Sequence, residues 1–419
     1  MIAKIFMPES GATLKKTYMW TAVAGIIYAG SSFVMSLVIT NLLGAEGFGV
    51  YTNAMAIAML LGTIGLYNVR MFQVSDVLEQ YSFADYSVMR ILSAVVMVVA
   101  GAIWLLIAGY RGAELIVIIA LILFKLGEAI SDLFEGRYQQ KERYDVSCRG
   151  VVFKTVLYML VFIGCLAVTK NLALSASLLA IIYLVSIIII DSRLVPKFGR
   201  TRLRLNINVQ GKLIAECTPL FINSFLITYI LNAAKYTMEQ YHGKAYLGIF
   251  NSLYMMAFVI NLFAAFALKP LITILSDKYL SGDKKGFVKM MARQSLIIVG
   301  LTIVAIIGAW FLGTIVLTLI FGIDLSLYRV ELCLMLVGGA FTALYQLFQY
   351  AIIIMRHQIM CLIGSIITAI LTWFFTPVLT KNYGIMGATI SFVISMASMS
   401  LILFVLNWYF LRKELPADE

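Results

Sequence analysis

LALSASLLAIIYLVSIIII, residues 172–190, runs nineteen positions without a charge, and DSRLVPKFGRTRLRLNINVQGK, residues 191–212, follows at once with six Lys or Arg. A helix needs about 20 apolar residues to cross a bilayer, so the first stretch reads as a membrane crossing. The second reads as the loop that ends it. Short cytoplasmic loops retain Lys and Arg, which puts that loop inside the cell.

The same alternation continues in both directions. Of the 32 Lys and Arg, 25 fall in every second gap between apolar runs: Lys4, Lys15, Lys16, Arg70, Arg90, Arg137 to Lys154, Arg193 to Lys212, Lys269 to Arg293, Arg356, Arg412 and Lys413. The opposite gaps hold Arg111, Lys170, Lys235, Lys244, Arg329 and Lys381, and only Lys125 stands inside an apolar run. Twelve spans are expected, at 18–40, 49–70, 88–109, 113–133, 150–169, 173–191, 213–235, 246–269, 291–313, 330–355, 359–380 and 385–410. Both termini then lie in the cytoplasm, and the expected location is a bacterial inner or plasma membrane.

Composition supports an all-α integral membrane fold. Hydrophobic residues make up 62%, charged residues 13%, and mean hydropathy is +0.95. Long continuous runs, without short alternating segments, argue against a β-barrel. The net charge of +11 follows from loop topology and from attraction to anionic inner-leaflet lipid, so nucleic acid is not an expected partner. Five scattered cysteines and two histidines suggest neither a disulfide framework nor a metal site. No metal or cofactor is expected. The N-terminal basic residues lead into a full-length span with no small-residue cleavage signature, which reads as a retained first helix.

The heavy basic gap at 191–212 separates six spans from six. It suggests an N-terminal lobe, 1–199, and a C-terminal lobe, 200–419. Phe48-Gly49-Val50-Tyr51 opens the second span and Leu247-Gly248-Ile249-Phe250 the eighth, a short echo consistent with two copies of like orientation. Residues 270–289 mix apolar and charged positions at helical spacing, as in a helical extension or an interfacial amphipathic helix. Residues 314–321 are too short to cross and suggest an interfacial turn or re-entrant helix.

Four stretches carry a resemblance: Leu42-Leu43-Gly44-Ala45-Glu46-Gly47-Phe48-Gly49-Val50-Tyr51; Tyr246-Leu247-Gly248-Ile249-Phe250-Asn251; Ser276 to Lys284; and Tyr383-Gly384-Ile385-Met386-Gly387-Ala388. Together with length, span count and loop order, they resemble the oligosaccharide flippase family (Wzx-like) of the multidrug/oligosaccharidyl-lipid/polysaccharide exporter superfamily, which also holds the peptidoglycan lipid flippases. The resemblance implies a two-lobed, V-shaped, alternating-access transporter for a glycan linked through pyrophosphate to a polyprenyl lipid, serving cell-surface polysaccharide biosynthesis. Polysaccharide-synthesis enzymes are further implied partners. Many relatives carry an acidic residue where this chain has Ala234-Lys235-Tyr236, a departure that puts a shared ion-coupling site in question.

Such cargo must bring a charged headgroup through a layer where one charge costs roughly 2.5–3.5 kcal/mol. A wet, cationic cavity answers that need. Lys125 is the first candidate to line it. Glu128 and Asp132 share its helical face, so the alternative is a self-satisfying Lys125–Glu128 pair. Arg70, Lys269 and Arg356 end spans on the cytoplasmic side and either meet the pyrophosphate or anchor topology. Lys235, at the outer end of span seven, is a further headgroup candidate. Asn232, with Asn68, Asn223, Asn251, Asn261, Gln346 and Gln349, suits hydroxyl-rich cargo or helix packing, and Tyr345 and Tyr350 are candidates to stack on sugars. Glu128, Asp132 and Glu216 are candidates for ion coupling, Glu216 alternatively being an interfacial charge beside Pro219.

No GxxxxGK, HExxH or large loop with paired carboxylates is present, so no enzyme chemistry is expected and an ion gradient or membrane potential would drive transport. A cation-coupled multidrug exporter is the nearest alternative. A membrane glycan polymerase or glycosyltransferase is more remote, because the outside loops are short.

Overall fold

A computed structural model describes residue 6 and residues 14–76, 79–198 and 205–414, apart from the side chains of residues 14, 15, 18, 197, 259, 262–273 and 414. Among the described residues the fold is helical, without strands. The helices are α1 (Leu14–Leu66), α2 (Val69–Ser75), α3 (Phe83–Ala108), α4 (Gly112–Gln140), α5 (Tyr144–Thr169) and α6 (Leu172–Leu194), then α7 (Ile207–His242), α8 (Lys244–Leu280), α9 (Lys284–Gly308), α10 (Thr314–Phe321), α11 (Arg329–Ile354) and α12 (Gln358–Glu414).

Among the described residues, eight helical stretches are long and apolar enough to cross a membrane. Two of them bend sharply at a glycine: α1 at Gly44 (φ 69°) and α12 at Gly384 (φ 56°). Each bend yields two arms of crossing length, and α4 and α8 supply further long helices, consistent with the twelve expected spans. Local sequence sets the ends. Ser82 and Asp85 form a reciprocal capping box at the start of α3, while Asn171 caps α6 and Asp283 caps α9, each satisfying an otherwise orphaned N–H. Leu106 and Val168, each 84% exposed, and Leu319 at 82% point apolar surface outward, as helices bathed in lipid do.

Two expectations about the loops resolve. The segment after span eight is a helical extension, since α8 runs on to Leu280 before a turn at Gly282. Residues 314–321 are not a separate re-entrant piece. They continue α9 through a π-turn at Ala309–Gly313 and stop at Gly322 in the left-handed conformation.

Contacts divide the chain into two compact units, residues 1–43 with 50–225 and residues 44–49 with 226–419. The division falls inside α7, between Phe225 and Leu226, whereas the lobe boundary at 199/200 comes from counting spans. In the first unit, Val69, Phe83, Tyr86, Met89, Leu133 and Leu213 form one core cluster, and Phe6, Tyr138, Val146, Ile190 and Leu194 another. The second unit has a larger core between α8, α9, α11 and α12, including Phe287, Phe348, Met399 and Leu403.

Within the second unit the two echoed glycine stretches meet. A Cβ on Gly49 would overlap the carbonyl of Lys244, and a Cβ on Gly248 would overlap the carbonyl of Ala45. Each glycine faces the residue four positions before the other, so the backbones cross reciprocally, at a closeness that only glycine permits.

Candidate functional site

One face of α4 carries Lys125, Glu128, Asp132, Glu135 and Gln139, at alternating spacings of three and four that place successive residues one above the other. All five are engaged by partners from the first unit.

At the N-terminal end of the stripe, Lys125 Nζ donates to Glu128 Oε2 at 2.6 Å. The two side chains are 13% and 18% exposed. Tyr28 Oη, from the first arm of α1, donates to Glu128 Oε1 at 2.9 Å. Gly62, on the second arm, packs on the lysine stem, where an added Cβ would lie 3.4 Å from Lys125 Cβ.

One turn further on, Asp132 accepts from Arg90 Nη2 at 2.7 Å and from Arg70 Nη1 at 3.2 Å. Arg90 also donates to the carbonyls of Gly65 and Leu66, at 2.6 and 2.7 Å. These are last-turn acceptors that α1 leaves without helical partners. Arg70 reaches on to Glu135 at 2.9 Å and to Gln139 Oε1 at 3.1 Å. It can do so because the chain breaks between α1 and α2, where Tyr67 and Asn68 adopt φ of 42° and 52°. Asn68 Nδ2 holds that break in place by donating to Leu220 O and Ser224 Oγ, both at 2.6 Å. The Tyr67 ring stacks on Phe221 at 4.3 Å.

The network continues to α5 and α6. Lys154 Nζ donates to Ser131 Oγ, sits 3.8 Å from Glu135 and forms an ion pair with Asp191. Asp191 accepts in turn from Tyr138 Oη at 2.9 Å. Four cations (Lys125, Arg70, Arg90, Lys154) and four carboxylates (Glu128, Asp132, Glu135, Asp191) therefore balance. That balance lets charge persist where an unpaired ion would be expelled.

The remaining candidates lie elsewhere. Lys235 sits 4.2 Å above the Tyr254 ring and has no ion pair among the described residues. Asn232 is buried and donates to Thr228 O of its own helix at 2.9 Å. Arg356 is exposed at the end of α11. Glu216 is exposed and accepts from Tyr81 Oη at 3.3 Å. The side chain of Lys269 lies outside the described residues. Tyr345 is part of the apolar core of the second unit, not a free stacking surface.

Sequence reasoning singled out Lys125 as the one basic residue well inside a span. Arg90 and Lys154, each 2% exposed, are buried deeper. They stand near the ends of the expected spans 88–109 and 150–169, where they read as loop charges. Glu135 and Asp191 were also missed; the signal for Glu135 was its position three after Asp132, while Asp191 gave none, standing where the apolar run gives way to the basic loop.

No protein-family model matches the chain. A Staphylococcus aureus protein named capsular polysaccharide biosynthesis protein CapF is 25% identical over 385 residues, covering 91% of this chain and 96% of that one. Among solved structures, the lipid II flippase MurJ in an inward closed conformation matches with a TM-score of 0.72 at 12% identity, over 93% of this chain and 87% of that one. An inward-facing multidrug resistance MATE transporter of the MOP superfamily matches with a TM-score of 0.68 at 11% identity, over 99% of both chains. The chain shares the fold of these two transporters. The described carboxylates of the α4 stripe are all matched by cations.

Proposed function

We propose that the chain is a flippase that carries a polyprenyl-pyrophosphate-linked oligosaccharide from the cytoplasmic to the outer leaflet for cell-surface polysaccharide biosynthesis. The observation that carries this reading is the near full-length similarity to a protein named for capsular polysaccharide biosynthesis, joined to a fold shared with a lipid flippase. Physically, the cargo's charged headgroup and hydroxyls need polar surface within the bilayer. The α4 stripe and Lys235 are the candidates to supply it. In this reading two six-span lobes, 1–199 and 200–419, alternate access in a bacterial inner or plasma membrane with both termini cytoplasmic. Polysaccharide-synthesis enzymes supply and consume the cargo, and the protein itself makes and breaks no covalent bond.

Depletion of the protein should make lipid-linked oligosaccharide build up on the cytoplasmic leaflet. Unchanged leaflet distribution would overturn the proposal.

The MATE neighbours support a second reading, a cation-coupled exporter of small drugs. A carrier of cationic cargo needs a carboxylate free to meet it. Glu128, Asp132 and Glu135 are each ion-paired, which favours the flippase. Extrusion of a cationic dye that is lost on Glu128→Gln would reverse that preference.

A further inference from the structure

We propose that Glu128 is a built-in counter-anion for Lys125, which the anionic headgroup of the cargo displaces, and that Tyr28 holds the displaced carboxylate. The proposal rests on the flippase reading above and assigns the site where cargo charge is exchanged.

The geometry of the pair differs from that of the rest of the network. Arg70 and Lys154 each face two carboxylates, and Arg90 joins one carboxylate to two backbone carbonyls. Lys125 has a single acceptor, Glu128 Oε2. An ammonium carries three protons, so two have no acceptor among the described residues, and the Phe124 ring lies 5.4 Å from Nζ. Neither member of the pair is sealed off, and Tyr28 beside them is exposed. Lys125 is thus a partly accessible cation with spare donors, suited to several oxygens of one polyanion.

Glu128 divides its two oxygens between Lys125 and Tyr28. When a pyrophosphate takes the lysine, the carboxylate keeps its bond to the tyrosine and need not be left buried and unpartnered, which is the costly outcome for a displaced ion. When the headgroup leaves, Glu128 returns to Lys125 and closes the site. Competition of this kind lowers affinity for the cargo and favours its release. It also selects for headgroups of high negative charge, since a neutral glycolipid has nothing with which to displace a carboxylate.

The test uses the full chain in nanodiscs, with farnesyl pyrophosphate as the probe and farnesol as the uncharged control. Relative to wild type, Glu128→Gln should bind farnesyl pyrophosphate about tenfold more tightly and Lys125→Gln about tenfold more weakly, the scale of one charge-assisted hydrogen bond. Tyr28→Phe should weaken binding severalfold, and farnesol should bind all four proteins alike. Equal or weaker binding by Glu128→Gln overturns the proposal, as does the absence of pyrophosphate binding in both wild type and Glu128→Gln. Should Lys125→Gln fail to fold, the Glu128 and Tyr28 arms still decide. Leaflet accumulation on depletion together with unaltered Glu128→Gln binding would sink the counter-anion alone and leave the flippase reading standing.

Discussion

Lys154 Nζ lies 3.3 Å from Asp191 Oδ2, in an ion pair whose two side chains are only 2% and 3% exposed. Removing one partner of such a pair strands the other, at a cost of about 3–5 kcal/mol. Lys154→Met and Asp191→Leu should each lower the melting temperature in detergent markedly. The double variant should recover much of the loss, because no charge then remains unmatched at that point. Additive losses in the double variant would mean that the pair is not the unit holding α5 to α6.

Gly49 and Gly248 should tolerate no side chain. A Cβ on either would overlap a backbone carbonyl of the facing helix, and backbone cannot swing away as a side chain can, so overpacking of about 1–3 kcal/mol or more is expected. Gly49→Ala and Gly248→Ala should reduce the monodisperse peak in size-exclusion chromatography. Gly25→Ala and Gly30→Ala, where nothing lies within 4 Å, should leave it unchanged.

Asn68 holds the break between α1 and α2 with two hydrogen bonds while its own φ is 52°. Asn68→Ala loses both bonds and suits the left-handed backbone poorly, for a combined cost of about 2–4 kcal/mol. Asn68→Gly keeps the backbone and should fall between alanine and wild type in thermal unfolding. A glycine variant as unstable as alanine would assign the whole effect to the lost bonds.

Acid should loosen the turn between α2 and α3. Burial alone would raise the Asp76 carboxyl, but the N–H groups of Tyr81 and Gln80 and the Tyr86 hydroxyl outweigh it and hold the group below the usual carboxylate range. Glu79 is lowered as well, chiefly by its hydrogen bond with Lys141. A carboxylate whose folded value is depressed contributes stability fully above its unfolded value, near about 4, and loses it as pH falls through the lower folded value. Wild type should therefore lose melting temperature between about pH 5 and about pH 3, and Asp76→Asn should lose less over the same interval.

The helices were legible because each needs only its own residues. An apolar run of crossing length satisfies its backbone internally, and the expected spans fall on helices of the structure, span 49–70 alone running past a break, at Tyr67 and Asn68. Gly44 and Gly384 were readable as turns because no other residue takes those angles easily. The site was legible only in part. Lys125, Glu128 and Asp132 share a face by spacing alone. The partners Arg90, Lys154 and Asp191 stand on other helices, and nothing in local sequence separates a lysine that anchors a loop from one that turns inward.

By itself the sequence determined that this is a helical membrane protein, where its helices run and which α4 residues align, since hydrophobic length and helical period act along one chain. Only the tertiary structure decided that Lys125 is paired, that Glu128 is shared with Tyr28, and that Arg90 and Lys154 are inside. Those outcomes depend on ion pairs between helices far apart in sequence, which form where burial leaves a charge no water to turn to.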